Sequence, residues 1–275
     1  IFSDPNIDGG TIFAVADRPQ GPYWELTDNL LLGARTTSPV SMRSVLFQGE
    51  RYALYTDRER VGRTDNGAIA YGTITTPKVL RTDGERLYAA YSPRIESRVT
   101  EELIAPSVLP QRVDEQLLTW WSLPTARWTW GTHITGASRT GCGVVAFAPR
   151  VESYIYEANI TLHAQGAAGL AMRIDGSYSG AAVILDAKEQ SISYAELPNF
   201  VCFYEKRMTP IPIGEPMHLR VVNRLEHIEI YLNDELRLAF SRYAGLGGRV
   251  GLFIDRGHAT FSDIRLRTLR VDTPV

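Results

Sequence analysis

The sequence predicts an all-β chain that ends in a β-sandwich, and three observations predict it. Short runs of alternating apolar and polar residues fill much of the 275-residue chain; this is the period of strands half buried on one face. No long stretch carries the 3.6-residue period of an amphipathic helix. Turn-forming residues separate the runs, as in IEIYLNDELRLAF (residues 228–240), where Asn233-Asp234 joins two alternating stretches into a hairpin.

The strands follow in order. Thr11–Ala16, Arg43–Phe47, Tyr52–Thr56, Ala68–Ile74 and Leu87–Tyr91 are expected in the first third. GERYALYT and DGERLYAAY each place a glycine turn before an aromatic strand. The second part is expected to contain Tyr154–His163, Gly169–Ile174, Ala181–Asp186, Ser191–Ala195, Met217–Asn223, His227–Leu232, Leu236–Ser241, Arg249–Ile254 and Thr260–Leu269. Between them lies IESRVTEELIAPSVLPQRVDEQ, with two prolines, mixed charge and no strand alternation. It divides the chain into 1–97, a 98–118 linker and a 119–275 sandwich. A short helical turn fits Arg98–Leu103 or Val113–Leu118.

Composition narrows the partners. Hydrophobic residues make up 44% and charged residues 22%, enough apolar material for a substantial core. A net charge of −2 lacks the basic excess that nucleic acid or an anionic membrane favours. No run reaches the ~18 apolar residues of a helical membrane span. Cys142 and Cys202 are too few for a disulfide framework and read as two thiols or a single bridge. His133, His163, His218, His227 and His258 are scattered, so no metal site and no cofactor is expected.

Two regions, one near each end of the chain, resemble a known family. Ala16-Asp17-Arg18-Pro19-Gln20-Gly21-Pro22-Tyr23 looks like the outer hairpin of a blade in the five-bladed propeller glycosidases of the family 32 and 43 type. Ser41–Leu46, Gly49–Thr56, Ala70–Pro77 and Asp83–Leu87 resemble, in order and spacing, the last blade of those proteins. Gly248–Ile254 followed by Ala259–Ile264 looks like the end of the concanavalin-like sandwich fused behind family 32 propellers. The resemblance implies a fold made of the last blades of a five-bladed β-propeller followed by a C-terminal β-sandwich.

Two blades leave open sheet edges. The implied protein is therefore the C-terminal part of a longer glycosidase, paired with an N-terminal chain or fragment that completes the propeller. The substrate would be a fructosyl or other furanosyl glycoside, cleaved by two carboxylates. The catalytic pair would lie outside this chain. The alternative is a non-catalytic carbohydrate-binding or structural sandwich. Location, secreted or cytoplasmic, stays open.

Within the chain, the resemblance implies substrate contacts from Asp4, Asn6 and Arg43. Arg43 would begin the innermost strand, where a guanidinium can hydrogen-bond sugar hydroxyls. Trp120, Trp121, Trp128 and Trp130 form an aromatic cluster. Trp128 and Trp130 could stack on sugar rings, or they could fill the sandwich core and the seam against the propeller. Asp17 and Glu25 read as surface charges, and Asp255 with His258 as a solvated glycine turn.

Overall fold

A computed structural model describes residues 10–33, 40–84, 86–110, 126–175, 180–197, 203–243 and 245–271. The all-β class and the C-terminal sandwich expected from the sequence are both present. Asp4, Asn6, Trp120, Trp121, Cys202 and the candidate turn at Val113–Leu118 lie outside the described residues.

The first region holds β1 (Gly10–Ile12), β2 (Leu30–Gly33), β3 (Val40–Phe47), β4 (Glu50–Arg60), β5 (Ile69–Ile74), β6 (Lys78–Thr82) and β7 (Leu87–Ala90). Turn chemistry sets its hairpins. Gln48 and Gly49 both have positive φ, 51° and 81°, the geometry of a tight two-residue turn between β3 and β4. Val15 and Trp24 exchange backbone hydrogen bonds of 2.9 Å, closing a hairpin over Ala16–Tyr23.

A 3-10 turn at Pro93–Arg98 leads into β8 (Val99–Ile104). Here the structure corrects the expected helical turn at Arg98–Leu103. VTEELI shows little alternation, yet it pairs with the last strand of the chain, Leu266 opposite Ile104. Tertiary pairing overrides a weak local pattern.

The sandwich contains β9 (Ala126–Trp130), β10 (Ile134–Ser138), β11 (Cys142–Val151), β12 (Ser153–Leu162), β13 (Ala167–Ile174), β14 (Gly180–Asp186) and β15 (Ser191–Leu197). It continues with β16 (Phe203–Met208), β17 (Pro216–Arg224), β18 (His227–Leu232), β19 (Glu235–Ser241), β20 (Gly248–Asp255) and β21 (His258–Leu269). One sheet has six strands in the order β11-β20-β13-β14-β15-β16. The other runs β19-β18-β17-β12-β21-β10-β9 and continues into β7, β6, β4 and β3. The join to the first region is narrow: Glu235 opposite Ala90, and Tyr91 N–H donating to Asp234 O at 2.9 Å.

Alternation explains the packing. On β18, Ile228, Ile230 and Leu232 point between the sheets, into a core shared with Tyr156, Leu170, Leu252 and Phe261. The opposite parity, His227, Glu229 and Tyr231, would face water in a lone sandwich. It is buried instead. Ile155, Val222, Tyr231, Leu236 and Ala239 on this outer face form a second core with Phe13, Leu31, Tyr55, Leu80 and Ala89 of the first region. The predicted hairpin at Asn233-Asp234 is present, with φ of 51° and 64°.

Among the described residues no helix is long and apolar enough to cross a membrane, and no cluster of His, Cys, Asp and Glu could hold a metal ion. Cys142 is a free, half-buried thiol.

Candidate functional site

The polar chemistry collects at the seam where the first region covers the outer face of the sandwich. At its centre Glu229 is fully buried. Lys78, reaching over from β6, places Nζ 2.7 Å from Glu229. Tyr231 Oη donates to Glu229 at 2.8 Å, His227 Nε2 lies 3.1 Å away and Arg224 Nη2 3.7 Å away. Burial alone would push this carboxyl up, but the Lys78 charge, the His227 hydrogen bond and Arg224 outweigh it and hold the group well below the glutamate range.

On one flank, Arg220 bridges Glu157 and Asp234, and its guanidinium sits 3.9 Å from the Tyr91 ring centroid. Arg267 donates to Glu157 at 3.0 Å and pairs with Glu96, which accepts from Tyr91 Oη at 2.6 Å. Near the far end, Tyr243 Oη accepts from Arg60 N–H at 3.0 Å, and Asp65 accepts from Tyr243 N–H at 2.9 Å.

The other flank opens into a polar cleft of about 910 Å³ walled by Asp28, Asp83, Arg86, Tyr88, Asn233 and Glu235. Arg86 makes a fork to Glu235, two bonds of 2.9 Å. Arg207, on the sandwich edge strand β16, donates to Asp28 Oδ1 at 2.7 Å and to Leu30 O at 2.8 Å. Arg237 donates to Glu235 at 3.0 Å and lies 3.5 Å from Asp28. Burial opposes ionisation of Asp28, yet Arg207, Arg237 and Arg86 keep its carboxyl below the usual range. The wall thus pairs fixed donors with acceptors beside the Tyr88 ring, with Leu30, Met208, Pro210 and Leu232 completing it.

The expected site residues fall elsewhere. Arg43 is exposed on β3 and donates to Met42 O at 3.1 Å. Trp128 and Trp130 share the inward parity of edge strand β9 and are half buried. Trp128 lies 6.0 Å from Phe261 and Trp130 6.3 Å from Phe147, with the rings of each pair inclined at 42° and 70°. A Cβ on Gly136 would come within 2.7 Å of the Trp128 ring, so this glycine leaves room for the indole. Asp17 and Glu25 are exposed; Asp255 pairs with Arg256 at 2.9 Å, while the His258 and His163 ring centroids lie 4.9 Å apart with the rings inclined at 44°. The structure therefore does not bring Arg43 and the tryptophans together.

Sequence reading passed over Asp28, Lys78, Arg86, Arg207, Glu229 and Arg237. The signal available was the charge at outward parity on neighbouring strands, Glu229 and Arg220, which resembles an ordinary solvated face.

No protein-family model matches the sequence, and no curated protein matches it. Solved structures do. The exo-inulinase of Aspergillus awamori aligns over 96% of this chain and 50% of its own, at a TM-score of 0.58 and 11% identity. The glycoside hydrolase family 32 β-fructofuranosidase of Bombyx mori aligns over 98% of this chain and 48% of its own, at 0.57 and 12% identity. A carbohydrate-binding module of Bacillus subtilis aligns over 52% of this chain and 92% of its own, at 0.50 and 22% identity. The fold is shared with these proteins. The chain spans about half the length of the two enzymes.

Proposed function

We propose that the chain is the C-terminal portion of a family 32-like propeller glycosidase acting on fructosyl or other furanosyl glycosides. Residues up to 97 would be its last blades and residues from 119 its sandwich. The observation that carries this reading is the extent of the likeness to the two fructosyl-glycoside enzymes. It runs through both the first region and the sandwich, 96% and 98% of the chain, and not through the sandwich alone. Unfilled surface on the first region agrees with it. Val45, Leu46 and Phe47 are consecutive on β3, so they point to both faces of the sheet, and all three are exposed.

Two-carboxylate hydrolysis needs a general acid and a second carboxylate across the scissile bond. In this reading that pair comes from outside this chain, with Arg43, Asp4 and Asn6 lining the substrate side. The test is to purify the native material, sequence the N-terminus of every co-purifying chain, and assay fructose release from sucrose, inulin and levan. The expected result is release only when a second, upstream polypeptide accompanies this chain. Equal release by the 275-residue chain alone, or none by the full assembly, overturns it.

A second reading is a non-catalytic carbohydrate-binding sandwich. The polar cleft beside Tyr88, together with the likeness that covers 92% of a carbohydrate-binding module, favours it. Retardation of the chain on a levan-containing native gel, lost in Asp28→Ala, is the expected outcome for that reading.

A further inference from the structure

The first region covers only part of the outer face of the large sheet, the part that carries Ile155, Val222 and Tyr231. Beyond it, on β9, β10, β21 and the close of β12, strand register builds a polar face. Thr129 lies opposite Thr135, Thr135 opposite Thr260, and Thr260 opposite Thr161. Directly opposed residues point to the same side of a sheet. The four hydroxyls therefore form one row across four strands, at the parity opposite to the inward Trp128 and Trp130. Strand spacing makes this row about 14 Å long. Thr129 is exposed and the other three are half buried.

The next row along the strands is basic. Arg127 lies opposite Ala137, and Ala137 opposite His258. Here the strand ends open into a cleft of about 730 Å³, with Arg127, Arg139, Arg256 and His258 in its wall and no carboxylate among the described residues. Asp255 already pairs with Arg256 at 2.9 Å, so that arginine is neutralised. Arg127 and Arg139 are exposed, and neither pairs with a carboxylate among the described residues. The cleft is held open by backbone contacts between its turns. Ser138 N–H donates to Gly257 O at 2.9 Å, Arg256 N–H to Gly141 O at 3.2 Å, and His163 N–H to His258 O at 2.8 Å. Gly166 lies so close that a Cβ there would come within 2.2 Å of Arg256 O. The wall is thus in place before a ligand arrives.

We infer that this end of the sandwich binds an anionic saccharide, a short sugar chain bearing carboxylate or sulfate. The threonine row takes the sugar hydroxyls, because a threonine hydroxyl both donates and accepts, as theirs do. Arg127 and Arg139 take the anionic group through their guanidinium forks. The volume lies in the usual range for small-molecule sites, roughly 300–1,000 Å³. A neutral sugar would leave both arginines unpaired, and a bare anion would leave the threonine row unused. The site shares no residue with the cleft at Asp28 and stands whichever of the two functional readings holds.

The experiment is calorimetric titration of the full chain with two matched pairs of probes: trigalacturonate against its neutral methyl ester, and sulfated maltotriose against maltotriose. At least one charged probe should bind about tenfold or more tightly than its neutral partner, and which one does so distinguishes a carboxylate from a sulfate source. Arg127→Glu and Arg139→Glu should each weaken that probe about tenfold at an unchanged melting temperature. Thr135→Val, which removes one hydroxyl from the row, should weaken it severalfold. Arg51→Glu, exposed on β4, and Asp28→Ala, in the other cleft, should change nothing. Equal affinity within both pairs, no binding of either charged probe, affinity that survives both arginine reversals, or sodium sulfate binding as tightly as the saccharides overturns the inference.

Discussion

The large sandwich sheet has two faces, and they are buried by opposite means. Its inner face meets the six-stranded sheet through Ile228, Ile230, Phe240 and Leu252, side chains that are almost wholly apolar. Its outer face meets the first region through apolar patches threaded with ion pairs, Lys78–Glu229, Arg267–Glu96 and Arg86–Glu235. Apolar burial is non-directional and tolerates small shifts. Buried ion pairs demand one geometry and punish any other. The inner face therefore supplies stability, while the outer face fixes how the first region sits on the sandwich.

The largest effect should come from breaking the inner face. Phe240 is 1% exposed and meets the Tyr194 ring edge-on at 4.9 Å. Phe240→Ala removes that volume from the centre of the core and should cost about 3–5 kcal/mol. Guanidinium denaturation should show the loss across the whole chain, with tryptophan fluorescence and far-ultraviolet dichroism moving together.

Breaking the outer face should give a nearly equal loss of a different kind. Lys78→Met leaves Glu229 buried without its closest cation and should cost about 3 kcal/mol. Limited proteolysis should then cut the first region before the sandwich. The double variant Lys78→Met/Glu229→Gln removes both charges and should recover most of the loss. If the double variant is as unstable as the single one, the pair is structural packing and the contrast between the faces fails.

Acid should separate the faces without mutation. Glu229 has a folded-state pKa depressed well below its ordinary value, so its contribution is complete above the unfolded value of about 4.3 and disappears as pH falls through the folded one. Denaturant midpoints measured downward from neutral pH should hold steady and then fall below pH ~4. Glu229→Gln should flatten that fall. The Phe240→Ala variant should keep the wild-type slope, because no titrating group is touched.

The two faces also differed in how far the sequence disclosed them. Strands with clean alternation, β12, β13, β17 and β18, were legible because one parity is apolar. The hairpin at Asn233-Asp234 was legible because both residues tolerate positive φ. VTEELI was not, since its strand state comes from pairing with β21, a partner more than 160 residues away (Glu102 opposite Arg267). The seam was hidden for a related reason. His227, Glu229 and Arg220 have the composition of a wet surface, and only the docking of Lys78 and Tyr91 from the first region makes them interior. The candidate cleft shares this fate, because Arg86 meets Glu235 only after two distant segments are brought together.

The smallest expected effect tests whether burial, and not charge pairing itself, gives the outer face its importance. Arg265 and Glu102 join β21 to β8 through a close contact, but each side chain is 37% exposed. Arg267 and Glu157, two strand positions away, make the same type of pair at 3.0 Å with exposures of 6% and 7%. Water screens the first pair and cannot reach the second. Arg265→Ala should therefore change stability by less than about 1 kcal/mol, whereas Arg267→Ala removes one of the two arginines on buried Glu157, leaving Arg220, and should cost about 2 kcal/mol. Moderate salt should erase the Arg265 effect and leave the Arg267 effect in place. Equal losses at the two positions would mean that the strand pairing of β8, and not burial of the charges, holds this edge of the seam.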